Sequence, residues 1–412
     1  MSYRTTVILG AGAILDFKFC DGLMKPTTAN ITEAVMDIEA EDAHGNSFKI
    51  IKILTDAVEN KLHKLQHGKG YKLNFEDIFH ILELCLTNSY AWHSDILDPS
   101  IYPLMAALCE PATDYAFKDE ILYWRAMAKM IVRILNIIHE YDSVFGTGRL
   151  DEQWYIDFWR SNSNNWDIFN FNYDTTIEQS LGKYQDGFIN KGESLKHFNP
   201  KKMMDNSRRL SKVNHPHGCI SYMIDKDYSF PYEYKQYDLF KTTNFEEVIK
   251  SVNSQIISVK NQANDNYFPS PIISGKHKTD KITYQPMATY HANLQKCLMK
   301  NHKLLIIGYS FGDLYVNQLL DNMRLYLGDK FKVTIIDKLQ PKLFYNPVMG
   351  YLDFRCPDMP EAMNTFMRRM LGKESYKYLR QMDESYYATE DNSFELYING
   401  FKDAATAITK QP

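Results

Sequence analysis

Five short stretches of the chain set glycines or polar side chains at the end of an apolar run: Gly10-Ala11-Gly12, Asn172-Tyr173-Asp174, His217-Gly218, the segment GYSFGD from Gly308 to Asp313, and Asp337 closing IID. A histidine among them can act as a general base, and an asparagine can orient a hydroxyl or a water without adding charge. Gly10 and Gly12 suit a tight turn under a phosphate, because a backbone without side chains approaches an anion closely. Each stretch also has a plainer use. Asn172 and Asp174 suit caps for the next helix, Gly10 to Gly12 a bare turn between strand and helix, and His217 a hydrogen-bonded turn residue. Leu15 stands where the third glycine of G-x-G-x-x-G belongs, so the first stretch is half of a dinucleotide fingerprint.

These residues need elements to position them. Thr5 to Leu9 is a short β-branched strand, and DIFNF, KLLIIG and KVTIID read as further strands. A helix across ATYHANLQKCLMKN and another after YSFGD alternate with the last two, which predicts an α/β fold with a parallel sheet and a ligand crevice at the strand carboxyl ends. From about Met24 to Asn165 the pattern turns to long helical periodicities, with Asn74 and Asp119 as starts and apolar stripes that bury against one another. Residues 225–290 are irregular, with at most one or two helices, and long loops of this kind are usually functional or partner-binding. After Pro357 come one helix, PEAMNTFMRRML, and a Tyr-rich end.

With 412 residues and a formal net charge of -4, the chain has no general affinity for a nucleic-acid backbone, and the basic run Lys201 to Arg209 reads as a solvated face. The N-terminus lacks a cleavable signal pattern and no apolar stretch approaches the roughly 20 residues that span a bilayer, so a cytoplasmic location and no membrane contact are expected. The six cysteines are scattered without a C-x-x-C pair, and no histidine spacing suggests a ligand set, so no metal is expected.

Taken in order, G-A-G, N-Y-D, H-G and G-Y-S-F-x-D resemble the pattern of the sirtuin-like family, especially the bacterial members that hydrolyse NAD in anti-phage defence. The resemblance implies a Rossmann-like parallel sheet made from residues 1–24 and 166–356, a helical insertion over 25–165, and a C-terminal extension over 357–412 with a role in oligomerisation. It implies NAD as substrate: Gly10, Ala11 and Gly12 at the pyrophosphate, Asn172 and Asp174 by the nicotinamide ribose, His217 as catalytic histidine, Gly308, Ser310 and Asp313 on the adenosine side, and Asp337 at the adenine-ribose hydroxyls. Asp174 has the alternative of anchoring its own turn.

Two departures qualify the match. The zinc ribbon of the deacylating sirtuins is missing, which argues against protein deacylation, and Ala13-Ile14 stand where the family commonly has a Ser, so the phosphate contact must come from backbone donors or elsewhere. Breaking a nicotinamide glycosidic bond passes through an oxocarbenium-like ribose, and Asn and His suit its needs of an orienting group and a base. The expected function is therefore NAD hydrolysis to nicotinamide and ADP-ribose, with a non-catalytic NAD or ADP-ribose sensor and an ADP-ribosyl transferase as rivals. By the same resemblance the chain is expected to be a homo-oligomer controlled by a HerA-type ATPase, through the Tyr-rich tail and residues 225–290.

Overall fold

Thr5–Leu9, TTVIL, forms β1, a central strand of an eight-stranded sheet. The other members in chain order are β2 (Trp166–Asn170), β3 (Lys212–Asn214), β4 (Lys303–Ile307), β5 (Lys332–Ile336), β6 (Arg380–Gln381), β7 (Tyr386–Ala388) and β8 (Phe394–Tyr397). They lie side by side as β6-β7-β8-β5-β4-β1-β2-β3. The run from β8 to β3 is parallel, while β7 pairs antiparallel to β8 and β6 to β7. This is the Rossmann-like parallel sheet expected from the sequence. The computed structural model describes residues 4–410 apart from 21, 66–71, 92–118, 162–165, 191–194, 206–209, 225–238, 255–258, 261–265, 269, 276–277, 283, 329, 341, 347–350, 356–358 and 372–378.

The register explains why the central strands are apolar without alternation. Val7 pairs with Ile168 on one side and Leu305 on the other, and Ile8 with Phe169 and Ile306. Val7, Leu9, Leu305 and Ile307 then point into one core, and Ile8, Leu304 and Ile306 into the other. Both faces are covered, as a parallel sheet requires. The first is packed by the helices Thr28–Met36, Phe75–Ala91, Glu120–Asp142, Gln153–Ser161 and Phe401–Lys410, and the second by Met287–Lys300, Leu314–Leu327 and Glu361–Leu371.

The expected starts in the helical block are present. Asn74 Oδ1 accepts from the backbone N–H of Glu76 and Asp77 at 2.9 and 3.0 Å, and the Asp119 carboxylate accepts from Ile121 N at 2.9 Å. Each satisfies donors that the first helical turn leaves open. The long helix from Glu120 then buries Leu122, Met127, Ile131, Ile134, Ile138 and Tyr141 and ends at Asp142 beside the carboxyl end of β2.

Toward the C-terminus, β8 extends the parallel sheet beside β5, and the Phe401–Lys410 helix packs in the first core. The tail tyrosines follow from this: Tyr387 and Tyr397 are buried and not presented as a contact surface, while Tyr376 and Tyr378 lie outside the described residues. The described part of the excursion carries short strands as well as helices. Leu239–Lys241 joins a four-stranded sheet with Phe188–Asn190, Lys196–Phe198 and Tyr222–Ile224, and helices form at Phe245–Asn253 and Lys278–Lys281. Val259–Lys260 and Asn266–Tyr267 pair antiparallel, while 225–238, 255–258 and 261–265 lie outside the described residues.

Candidate active site

The chain passes from β1 to β2 and β3 on one side and only then to β4 and β5 on the other, so the strand order switches direction between β1 and β4. Ligands of doubly wound sheets sit outside the carboxyl ends at such a point. A cleft of about 910 Å³ opens there, near the top of the range of about 300–1,000 Å³ usual for ligand pockets. All five stretches reach it, through Gly10 to Gly12, Asn172, His217, Gly308 with Ser310 and Asp313, and Asp337.

The glycines let two strand-end loops touch. Gly12 N donates to Gly308 O at 2.9 Å, and Gly308, with φ +56°, turns its backbone against Gly12 and Ala13. Asn172 ties β2 to the same place, its Nδ2 donating to Gly10 O at 3.0 Å. That bond fixes the amide, and among the described residues Oδ1 carries no hydrogen bond, which leaves it free to accept from a ligand hydroxyl or a water.

Asp313, which the resemblance puts on the adenosine side, lines the cleft and is held by two sets of bonds. Its Oδ1 caps the Leu314–Leu327 helix, accepting from Tyr315 N at 3.0 Å and Val316 N at 3.1 Å, and its Oδ2 meets His217 Nε2 at 2.8 Å. A carboxylate only accepts, so Nε2 carries the hydrogen and the lone pair is left on Nδ1. Phe171 lies edge-on to the imidazole, ring centroids 4.8 Å apart, and keeps it in place. Burial pushes His217 below the ordinary histidine value and the Lys278 ammonium adds to this, against the opposing pull of Asp313. Burial alone would raise Asp313, but the His217 hydrogen bond and charge outweigh it and hold the carboxyl well below the usual carboxylate range. At neutral pH the pair is a neutral imidazole held by an ionised carboxylate, the arrangement of an oriented general base.

Asp174 does not line the cleft. It is fully buried, accepting from Tyr141 Oη at 2.8 Å and Thr176 N at 3.1 Å. Asp142, also at the end of the long helix, accepts from Thr175 N at 2.7 Å and Thr175 Oγ1 at 2.7 Å. Burial and the neighbouring Asp174 push Asp142 up to about 7. These bonds clamp the turn after β2, which is how the helical block sets the direction of Asn172.

Three further side chains of the cleft carried no signal in the sequence. Lys278 and Glu76 pair at 3.0 Å across 202 positions of chain, joining the excursion to the helical block. His291, on the Met287–Lys300 helix, sits in an ordinary amphipathic pattern.

Among the described residues one group of potential metal ligands comes together: Glu178, His215 and Cys219, with ligand atoms within 4.8 Å of one another. Their chemistry fits a metal poorly. Lys241 Nζ already stands 3.4 Å from Glu178 Oε1 and 2.7 Å from Asp186 Oδ2, and although burial works against its charge these two carboxylates keep its pKa well above the ordinary lysine value. Burial would raise Glu178, but His215 and Lys241 bring it down to about 2. Burial pushes the Cys219 thiol up, away from the thiolate that a metal binds. The ammonium thus supplies the positive charge a metal would bring. Metal analysis of the purified protein is expected to show no stoichiometric zinc, and chelators to leave the melting curve unchanged; one tightly held zinc per chain contradicts this.

No curated protein matches the chain. Residues 167–337, from the start of β2 to the aspartate after β5, match the family model described as SIR2-like domain. This segment supplies Asn172, His217 and the Gly308–Asp313 loop, while β1 with its glycines and the helical block lie outside it. Over its site-forming strands the chain is thus similar to the SIR2-like domain, whose implied use of NAD agrees with a Rossmann-like cleft of this size.

Proposed function

We propose that the chain hydrolyses NAD to nicotinamide and ADP-ribose, and that it does so in anti-phage defence under the control of a partner. The observation that carries the reading is the pairing of an Asp313-held His217 with the open Oδ1 of Asn172 in one cleft. In the reaction the C1′–N bond of the nicotinamide ribose breaks and its electron pair neutralises the pyridinium. A water oxygen bonds to C1′, and its proton passes to His217 Nδ1 and then to solvent. Asn172 Oδ1 accepts from the water or a ribose hydroxyl and sets the attack geometry, a contribution of positioning and not of charge. Asp313 keeps the imidazole in the tautomer that accepts.

The defence role, assembly into a homo-oligomer and control by a HerA-type ATPase rest on the family resemblance. An unrestrained NAD hydrolase depletes its own host, so control by assembly is its natural companion. Incubating the purified protein with NAD, alone and with its genomic neighbour, and separating the products tests the reading. Free nicotinamide and ADP-ribose in equal amounts are expected; ADP-ribose attached to protein identifies a transferase, and intact NAD that binds without cleavage identifies a sensor.

The charges around His217 give a second expectation. Activity needs the neutral imidazole, so its acid limb lies at the lowered pKa of His217. Removing the Asp313 charge in Asp313→Asn lowers that pKa further and moves the limb to lower pH, while Lys278→Met removes an opposing charge and moves it higher. The profile of nicotinamide release against pH reads both. Limbs that move together, or not at all, place the titration on another group.

A further inference from the structure

His291 is 3% exposed, lines the cleft, and stands with its Nε2 3.3 Å from the carbonyl of Pro216, the residue before His217. A carbonyl only accepts, so Nε2 carries the hydrogen and Nδ1 holds the lone pair. That Nδ1 is buried and has no hydrogen-bond partner among the described residues. Its ring neighbours are Tyr315 at 5.3 Å and His217 at 6.5 Å between centroids. Burial and the nearby His217 bring His291 down to about 4, so the lone pair persists at neutral pH. Buried acceptors are almost always satisfied, and one beside a reactive pair is most simply satisfied by what binds there.

We infer that His291 is a substrate-recognition residue, whose Nδ1 accepts a hydrogen bond from an N–H or O–H of the ligand group beside His217. The inference rests on the NAD reading above. The donors that NAD brings to this end are the carboxamide NH₂ and the ribose hydroxyls, one chemistry from two sources. Nicotinic acid adenine dinucleotide offers a carboxylate in place of the carboxamide and only accepts, whereas analogues with 2′- or 3′-deoxyribose on the nicotinamide side lack one hydroxyl donor.

The test compares kcat/KM for NAD and these analogues in the wild-type protein, His291→Phe and His291→Asn. The wild type is expected to disfavour the analogue lacking the recognised donor by about 100-fold, because a site built around a polar contact rejects a ligand that leaves it unmade. His291→Phe is expected to lose most of that discrimination, and His291→Asn, whose Oδ1 takes the place of Nδ1, to keep it. A merely structural histidine would change rates for all substrates alike. Wild-type protein that cleaves NAD but handles all analogues equally, or His291→Phe with full discrimination, overturns the role of His291 and leaves NAD hydrolysis standing. If His291→Phe does not fold, the wild-type and His291→Asn comparisons decide. Absence of both cleavage and calorimetric binding of NAD by the wild type overturns the NAD reading and this inference with it.

Discussion

Replacing His217 by alanine is expected to lower nicotinamide release from NAD by at least about 100-fold, the usual scale for a positioned acid or base, and Asn172→Ala to do the same, with both proteins still folded. The two losses have different causes. Without His217 the attacking water has no base, while Asp313 keeps its bonds to Tyr315 N and Val316 N, so the Leu314–Leu327 helix stays capped. Without the Asn172 amide the base remains but its water and ribose lose their orientation, and the β2 end loses one tie to Gly10 O. The cost to stability is about 0.5–1.5 kcal/mol for the Asn172 bond and about 1–3 kcal/mol for His217, whose loss leaves the buried Asp313 carboxylate one partner short. Initial rates by product chromatography, with circular dichroism on the same samples, separate chemistry from folding. Near-wild-type turnover in a folded variant removes that residue from the mechanism, and a loss shared with unfolding leaves the residue a structural part.

Much of this site was legible because polar residues end apolar strands, and the parallel order of β1, β2, β4 and β5 then gathers those ends by geometry alone. What a strand end does once gathered was less legible. Asn172 and Asp174 are two residues apart in the same turn, yet one faces the cleft and the other is fully buried against Tyr141 and Thr176. The residue that decides between them, at the end of a helix some thirty positions earlier, has no local mark in the sequence. Asp313 shows the same limit: its spacing from Gly308 fits a ligand loop, but its partner His217 comes from 96 positions away. Lys278, Glu76 and His291 belong to the cleft through tertiary contacts that no periodicity encodes. The C-terminal tail shows a related limit. An aromatic-rich end reads as surface or strand with equal ease, and only the open edge of β5 makes Phe394–Tyr397 a sheet strand.

Replacing Gly308 by alanine is expected to destabilise the protein by about 2–5 kcal/mol, the sum of a left-handed residue at about 1–2 and overpacking at about 1–3, and to abolish NAD binding. Two costs meet at this position. Its φ of +56° is a conformation that glycine adopts freely and alanine does not. A methyl group there would also stand well inside 3.0 Å of the Gly12 and Ala13 backbone, so the loops after β1 and β4 would have to part. Two other glycines separate these costs. Gly146 has φ +80° with nothing within 4 Å of an added carbon, so Gly146→Ala carries the conformational cost alone. Gly10 has an extended backbone at φ -117°, but an added carbon would lie 2.5 Å from Gly308 O, so Gly10→Ala carries the contact alone. Urea midpoints are expected to fall in the order Gly146→Ala, Gly10→Ala, Gly308→Ala, from mildest to most severe. Nucleotide binding, measured by calorimetry, should survive only in Gly146→Ala, because the other two changes pry open the loops that form the floor of the cleft. A Gly308→Ala protein no less stable than Gly146→Ala and still able to bind would show that the loops do not depend on their close contact, and the glycines would return to the role of a bare turn.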